Sequence, residues 1–295
     1  MRRKPNGLGT KGERLGDVSV YYFIGEIYNL SGADVDTEVF QAIVLGIVQG
    51  ITEFFPVSST AHLILFPWFF HWGGEVNTLS FDVALHAGTL GALLFCFYRD
   101  WLDMFMTDRK LLSFILVATI PAGLAGALFH DVVEHGLRSP LIIVFSTVVF
   151  AVLMLVAEKY GKRISDRPTF KDSLFIGIAQ AIALIPGVSR SGITITAGLF
   201  KDLKREAAAK FSFLLSTPVI GGAALLEGRK LLKNPGHHHL DIFAIGLLAS
   251  FFSGLLAIKF LLRFLKKHPL NVFAYYRFLL AVVIVIVWAQ SSFLR

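Results

Sequence analysis

The apolar residues of this chain are gathered rather than scattered. Six runs of roughly 18–20 residues carry few charges, and a helix of that length crosses the ~30 Å hydrocarbon core of a bilayer. They fall at about 81–98, 111–130, 139–158, 208–226, 240–262 and 271–290. Composition agrees: of 295 residues, 55% are hydrophobic and only 17% charged. A soluble domain runs near a quarter charged and a disordered chain is far less apolar, so both classes are excluded. The sequence reads as an all-α polytopic membrane protein. Its formal charge of +7 requires no nucleic acid, because Lys and Arg cluster in short loops between apolar runs, where membrane topology explains them.

The one cysteine, Cys96, lies inside an apolar run, so no intramolecular disulfide forms. Residues 1–16 are basic but lack the apolar core and cleavage site of a signal peptide. Residues 1–35 are expected to be an appended, poorly ordered arm. Neither a Walker loop nor a dinucleotide fingerprint occurs, which removes support for ATP-driven transport and nicotinamide redox chemistry.

Two further apolar regions, about 38–70 and 172–200, are interrupted near the middle by Pro56 and by Pro186 and Gly187. Proline removes a backbone donor and clashes with the preceding turn, so each region is expected to form two short half-helices around a bend. The two regions are copies. GIVQGITEFFPVSS (Gly46–Ser59) aligns without a gap on GIAQAIALIPGVSR (Gly177–Arg190), and Phe81–Gly91 recurs more faintly as Phe211–Gly221. The expected architecture is therefore two inverted-topology repeats, 36–160 and 161–295, each one re-entrant broken helix plus three transmembrane helices.

Charge sets the orientation. No Lys or Arg occurs from Leu15 to Tyr98, while Lys159, Lys162, Arg163, Arg167 and Lys171 precede the second broken segment and Lys201, Lys204, Arg205 and Lys210 follow it. By the positive-inside rule the first bend dips in from outside and the second from the cytoplasm. Arg229, Lys230, Lys233 and the basic arm run against this rule but are outnumbered. In such folds the binding site lies where the broken helices meet near the midplane, here Gln49–His62 facing Gln180–Thr194.

The first bend offers Gln49 and Glu53 on one helix face, a pair of oxygen ligands suited to a hard divalent cation. Ser58, Ser59 and Thr60 then open the next half-helix, whose free amides and dipole favour a phosphate, and His62 follows one turn later as a candidate base. The second bend offers Ser189, Arg190, Ser191, Gly192 and Thr194, with the planar fork of Arg190 suited to bidentate phosphate binding. Each feature has a plainer reading: a serine cap, a structural Glu53–Arg190 pair, a packed histidine. Their convergence at both bends favours a functional site. Asp82 and His86 are expected behind that site; Glu227, Lys259, Tyr276 and Arg277 near helix ends; and the histidines at 237–239 in a solvated turn.

These motifs, Gln49-Gly-Ile-Thr-Glu53-Phe-Phe-Pro-Val-Ser-Ser-Thr-Ala-His62 and Pro186-Gly-Val-Ser-Arg190-Ser-Gly, closely resemble the bacitracin-resistance family of undecaprenyl-diphosphate phosphatases. Phe81-Asp-Val-Ala-Leu-His86 and Tyr276-Arg277-Phe extend the resemblance, which runs from about Val39 to the C-terminus. It implies hydrolysis of undecaprenyl diphosphate to the monophosphate, which recycles the lipid carrier for peptidoglycan export. A divalent cation (Mg²⁺ or Ca²⁺) and a bacterial inner-membrane location with the site open to the outer face are implied as well. Glu53, Ser59, His62 and Arg190 are the positions that family would use in catalysis. Gln49 stands where the family often has Glu, leaving the cation site one charge short, and Ala61 where Gly is common. The expected partners are the polyprenyl diphosphate lipid and the bilayer; the sequence leaves a homodimer open.

Two chemistries fit these residues: attack by Ser59 with His62 as base, which is preferred, or direct attack by a metal-bound water. Transport or flipping of an anionic polyprenyl lipid is the alternative function, since broken inverted repeats are a transport architecture. A phosphatidic-acid-type phosphatase is set aside, because the next histidine after Ser189 and Arg190 is His237.

Overall fold

The computed structural model describes residues 35–136, 139–233 and 240–293. The arm at 1–34 and the histidine tract at 237–239 lie outside them. Among the described residues all regular structure is helical, apart from one isolated bridge between Ser165 and Leu203. Helices α1 (Val35–Phe54) and α2 (Ser59–Phe70) form the first broken region. After a 3-10 turn at Gly74–Asn77 come α3 (Leu79–Cys96), α4 (Tyr98–Met106), α5 (Arg109–Gly136) and α6 (Pro140–Tyr160). The second broken region is α7 (Phe170–Ile182) and α8 (Arg190–Phe200), followed by α9 (Arg205–Lys233), α10 (Leu240–Leu265) and α11 (Asn271–Phe293).

Among the described residues six helices, α3, α5, α6, α9, α10 and α11, are long and apolar enough to cross a membrane, at the six expected places. The 12 residues of α2, 13 of α7 and 11 of α8 reach only about 17–20 Å, too short to span. Two details differ from expectation. The first half-helix, α1, is not short but runs 20 residues, because nothing between Val35 and Phe54 interrupts it. The span expected to end at 98 stops at Cys96, and α4 begins a separate helix. Its Arg99, Asp100 and Asp103 lie on one side and exposed Leu102 and Phe105 on another, a pattern that suits the membrane interface and not its core.

Packing draws the two halves together. Helix α10 lies along α1 and α3, α5 along α7, α11 along α6, and α9 against α3 and α8. The α1–α10 contact depends on small residues: a Cβ on Gly46 would sit 2.6 Å from both Ala249 Cβ and the Gly246 carbonyl oxygen. Beside Glu53 the core is aromatic, with Phe54 edge-on to Phe213 of α9 at 5.3 Å.

The basic loops meet at one end of the bundle. Glu158, at the end of α6, accepts hydrogen bonds from Arg163, from two nitrogens of Arg205 and from the Leu270 amide. Arg167 pairs with Asp108 at 2.9 Å and Lys210 with Asp100 at 2.5 Å.

Candidate active site

The two bends turn alike. Ser58 (φ 75°, ψ 90°) and Ser189 (φ 69°, ψ 113°) occupy equivalent positions of the two copies. Each holds a left-handed backbone that costs a residue with a Cβ energy. Each immediately precedes a half-helix, so α2 and α8 begin at the bends with their amides and positive dipole ends. The Ser189 hydroxyl accepts from the Gly192 amide at 3.2 Å, whereas Ser58 makes no such cap. Gly187, at φ 91°, lets the second bend press on α6: a Cβ there would meet the Ile143 carbonyl at 2.7 Å.

Glu53 is the hub between the bends. It is 6% exposed and accepts from Gln49 Nε2 at 3.0 Å, from Ser59 Oγ at 2.7 Å and from Arg190 Nη2 across the interface. His86 Nε2 stands 3.6 Å from the same carboxylate. Arg190 also reaches the Ser216 carbonyl of α9 at 3.4 Å. Glu53, Ser58, Ser59, Thr60, Asp82, His86, Ser189 and Arg190 line a cavity of about 400 Å³. Its other walls are apolar: Leu63, Ile64, Leu184, Ile185, Val219, Ile220 and Ala223.

Several expected site residues stand outside this cavity. Ser191 donates to the Phe55 carbonyl at 3.1 Å, joining the two bends. Gly192 is buried beside Ser189, and the Thr194 hydroxyl is engaged with the Arg190 carbonyl and with Ser212. The expected pairing of His62 with Ser59 is not formed. Its Nδ1 bonds the Ser58 carbonyl at 2.8 Å and so carries the proton, since a carbonyl only accepts. Its Nε2 then accepts from the Tyr276 hydroxyl at 2.6 Å. Ser59 gives its proton to Glu53 instead.

His86 and Asp82, expected behind the site, line it directly. Tyr276 and Arg277, expected to snorkel or pair near a helix end, contact both bends from within α11. A signal for them existed: an arginine in an apolar run has to find polar partners. Glu227 has no described side chain, and Lys259 is exposed on α10.

The residues fit a divalent cation. Gln49 Oε1 is buried without a hydrogen-bond partner, an oxygen donor left over beside the Glu53 carboxylate. No cluster of three or more His, Cys, Asp or Glu suited to a metal occurs among the described residues. One carboxylate plus one amide oxygen would be a sparse donor set, leaving most of an ion's positions open to other oxygen ligands.

The chain is 59% identical over 251 residues to an undecaprenyl-diphosphatase of Thermodesulfovibrio yellowstonii, covering 85% of this chain and 98% of that protein. It is 48% identical over 259 residues to an undecaprenyl-diphosphatase of Caldicellulosiruptor bescii (83% and 96%), and 45% over 259 residues to one of Desulforudis audaxviator (84% and 97%). The profile of the family described as bacitracin resistance protein BacA matches residues 42–283, and with those relatives it shows that the chain belongs to that family.

Proposed function

We infer that the protein is a membrane-embedded undecaprenyl-diphosphatase, converting undecaprenyl diphosphate to undecaprenyl phosphate and inorganic phosphate. This activity serves peptidoglycan synthesis and bacitracin resistance. The observation that carries the chemistry is the chain Ser59 Oγ–H to Glu53 to Arg190, closed across two bends in one cavity.

A diphosphate is strongly anionic, and its cleavage needs charge stabilisation around the transferring phosphoryl group. Arg190 presents its guanidinium there, and the N-termini of α2 and α8 add oriented amides. Ser59 attacks the terminal phosphorus, Glu53 takes its proton through the bond already formed, and the lipid monophosphate leaves with that proton. Water then cleaves the Oγ–P bond with Glu53 again accepting the proton, which returns to Ser59. His62 serves in this reading as the brace of Ser58, not as the base. Glu53 and Gln49 would hold a Mg²⁺ or Ca²⁺ ion, which when bound supplies further positive charge to the phosphates. The apolar walls at Leu184, Ile185 and Val219 receive the first isoprene units.

The reading extends to topology. Packing is reciprocal between the halves, with α10 on α1 matched by α5 on α7, and both bends share the left-handed serine; this supports an inverted repeat. His86 and Ser216 lie about 15 Å along α3 and α9 from their basic-loop ends, near mid-membrane. The cavity faces Leu79 and Ala224, the end away from the basic loops, which supports opening to the outer side of a bacterial inner membrane.

The test is phosphate release from a polyprenyl diphosphate by purified protein in detergent, with Mg²⁺, Ca²⁺ or chelator. Cation-dependent release that Arg190→Ala abolishes is the expected result. Saturable lipid binding without release would replace the hydrolase by a transporter.

A further inference from the structure

Among the described residues Arg277 is the largest side chain with no solvent exposure, and its hydrogen bonds go to backbone carbonyls of three separate segments. Nη2 donates to Gly187 at 2.6 Å and Val188 at 3.0 Å, Nη1 to Val188 at 3.0 Å and Pro56 at 3.4 Å, and Nε to Thr147 at 3.3 Å. A buried charge held only by carbonyl dipoles is expensive, and an apolar side chain would have filled the same volume. What an apolar side chain could not do is join Pro56 of the first bend to Gly187 and Val188 of the second through one rigid fork.

The preceding residue makes a matching link. The Tyr276 hydroxyl holds His62, and His62 holds the carbonyl of Ser58, next to Ser59; Tyr276 thus braces the first bend, while Arg277 joins that bend at Pro56 to Gly187 and Val188 of the second. The guanidinium also lies against the start of α8, where a Cβ on Gly192 would be 3.0 Å from Nη1.

We propose that Tyr276 and Arg277 form a tie that sets the separation of the two bends, and with it the grip of Ser59 and Arg190 on a diphosphate. They are positioning residues: neither lines the cavity. The choice of diphosphate as ligand rests on the phosphatase reading; the tie itself rests on the contacts.

The experiment compares full-length wild type, Arg277→Lys and Tyr276→Phe in detergent, measuring inorganic pyrophosphate binding by calorimetry and both kcat and KM for polyprenyl diphosphate. Lysine keeps the charge but cannot span the bends. Arg277→Lys is expected to weaken pyrophosphate binding and raise KM by about tenfold or more, because sub-ångström misplacement of a phosphate clamp is felt strongly. Tyr276→Phe, which removes one hydroxyl and keeps the ring, is expected to shift both constants by about threefold in the same direction. A merely structural role predicts something else: fewer active molecules, hence lower kcat and binding stoichiometry at unchanged Kd and KM. Monodisperse Arg277→Lys with both constants within about twofold of wild type would overturn the proposal. If that variant does not fold, unchanged constants in Tyr276→Phe overturn it instead. Wild type that binds pyrophosphate yet releases no phosphate would remove the phosphatase reading and leave the tie to be judged on binding alone.

Discussion

Replacing Glu53 by glutamine tests the hub of the site with the least disturbance of shape. The amide has one acceptor oxygen and two N–H donors where the carboxylate offered acceptors only. Its oxygen can stay on Arg190, so the new NH2 group faces Ser59 and Gln49. Both can adapt: the Ser59 hydroxyl can rotate to accept, and Gln49 can turn to present Oε1, which has no partner in the native arrangement. The turned Gln49 amide then carries its NH2 group where Oε1 had no partner, so one buried donor is left unpaired at a cost of about 1–3 kcal/mol that adds to the loss of charge; the variant is expected to be less stable but to fold.

What disappears is charge. Removing one partner of a fully buried pair costs about 3–5 kcal/mol. The Arg190 side chain is 17% exposed to the cavity, so part of its hydration returns and a loss near 2 kcal/mol is expected. Activity falls much further. In the proposed reaction Ser59 no longer has a base, and positioned proton acceptors contribute roughly 10²–10⁴-fold; the proposed cation site would also lose the Glu53 carboxylate. Together these predict a drop in kcat/KM of about 10³ or more, read as phosphate release from polyprenyl diphosphate beside a thermal melt in the same detergent. A folded Glu53→Gln enzyme within about tenfold of wild type would refute Glu53 as the proton acceptor.

Ser59→Ala should lose about 10³-fold in kcat while still binding the lipid, and wild type quenched in turnover should carry phosphoserine at position 59; activity retained within about tenfold would transfer the attack to water. Gln49→Glu puts a second carboxylate where an amide now lies 3.0 Å from Glu53, a repulsion of roughly 5 kcal/mol at an effective dielectric of ~20. Its melting temperature should therefore fall in chelator and recover with Mg²⁺ or Ca²⁺, and half-activation should need less cation than in wild type. Gly187→Val forces a branched side chain into the Ile143 carbonyl at a positive φ; about 3 kcal/mol or more of stability should be lost, seen as early melting or failure to elute as a single species.

The spans were legible because a bilayer imposes one length and one composition on every crossing. The bends were legible for a subtler reason. Proline alone does not mark them, since Pro67, Pro121 and Pro218 lie inside continuous helices, where a membrane bundle tolerates them. Recurrence marked them: the same register of Gly, Gln, Ile, Val and Ser around two breaks. Partners within one face or one turn, such as Gln49 with Glu53, followed from that register. Partners supplied by distant helices did not. The base assigned to Ser59 was His62 because it is near in sequence, but the fold turns that ring toward Tyr276, 214 residues on. Arg277 was legible only as a charge in an apolar run, with no indication of which carbonyls it would meet.

The repeat also explains why the site is asymmetric. Superposing the copies sets Ser59 on Arg190 and Glu53 on Leu184. Two equivalent turns, each with a left-handed serine and a fresh helix N-terminus, thus carry different chemistry at the next position: a hydroxyl on one side, a permanent cation on the other. A strictly symmetric pair would give two serines with no counter-charge, or two arginines repelling across the cavity. A difference between the copies gives instead a hydroxyl, the carboxylate that accepts from it and an opposing guanidinium on a scaffold that brings two helix N-termini together. The Leu184 side chain, at the place equivalent to Glu53, contributes to the apolar wall of the same cavity. With an acid in one bend and a leucine at the equivalent place in the other, the cavity joins a charged end to an apolar wall, the pairing that the proposed lipid diphosphate requires of its headgroup and its first hydrocarbon units.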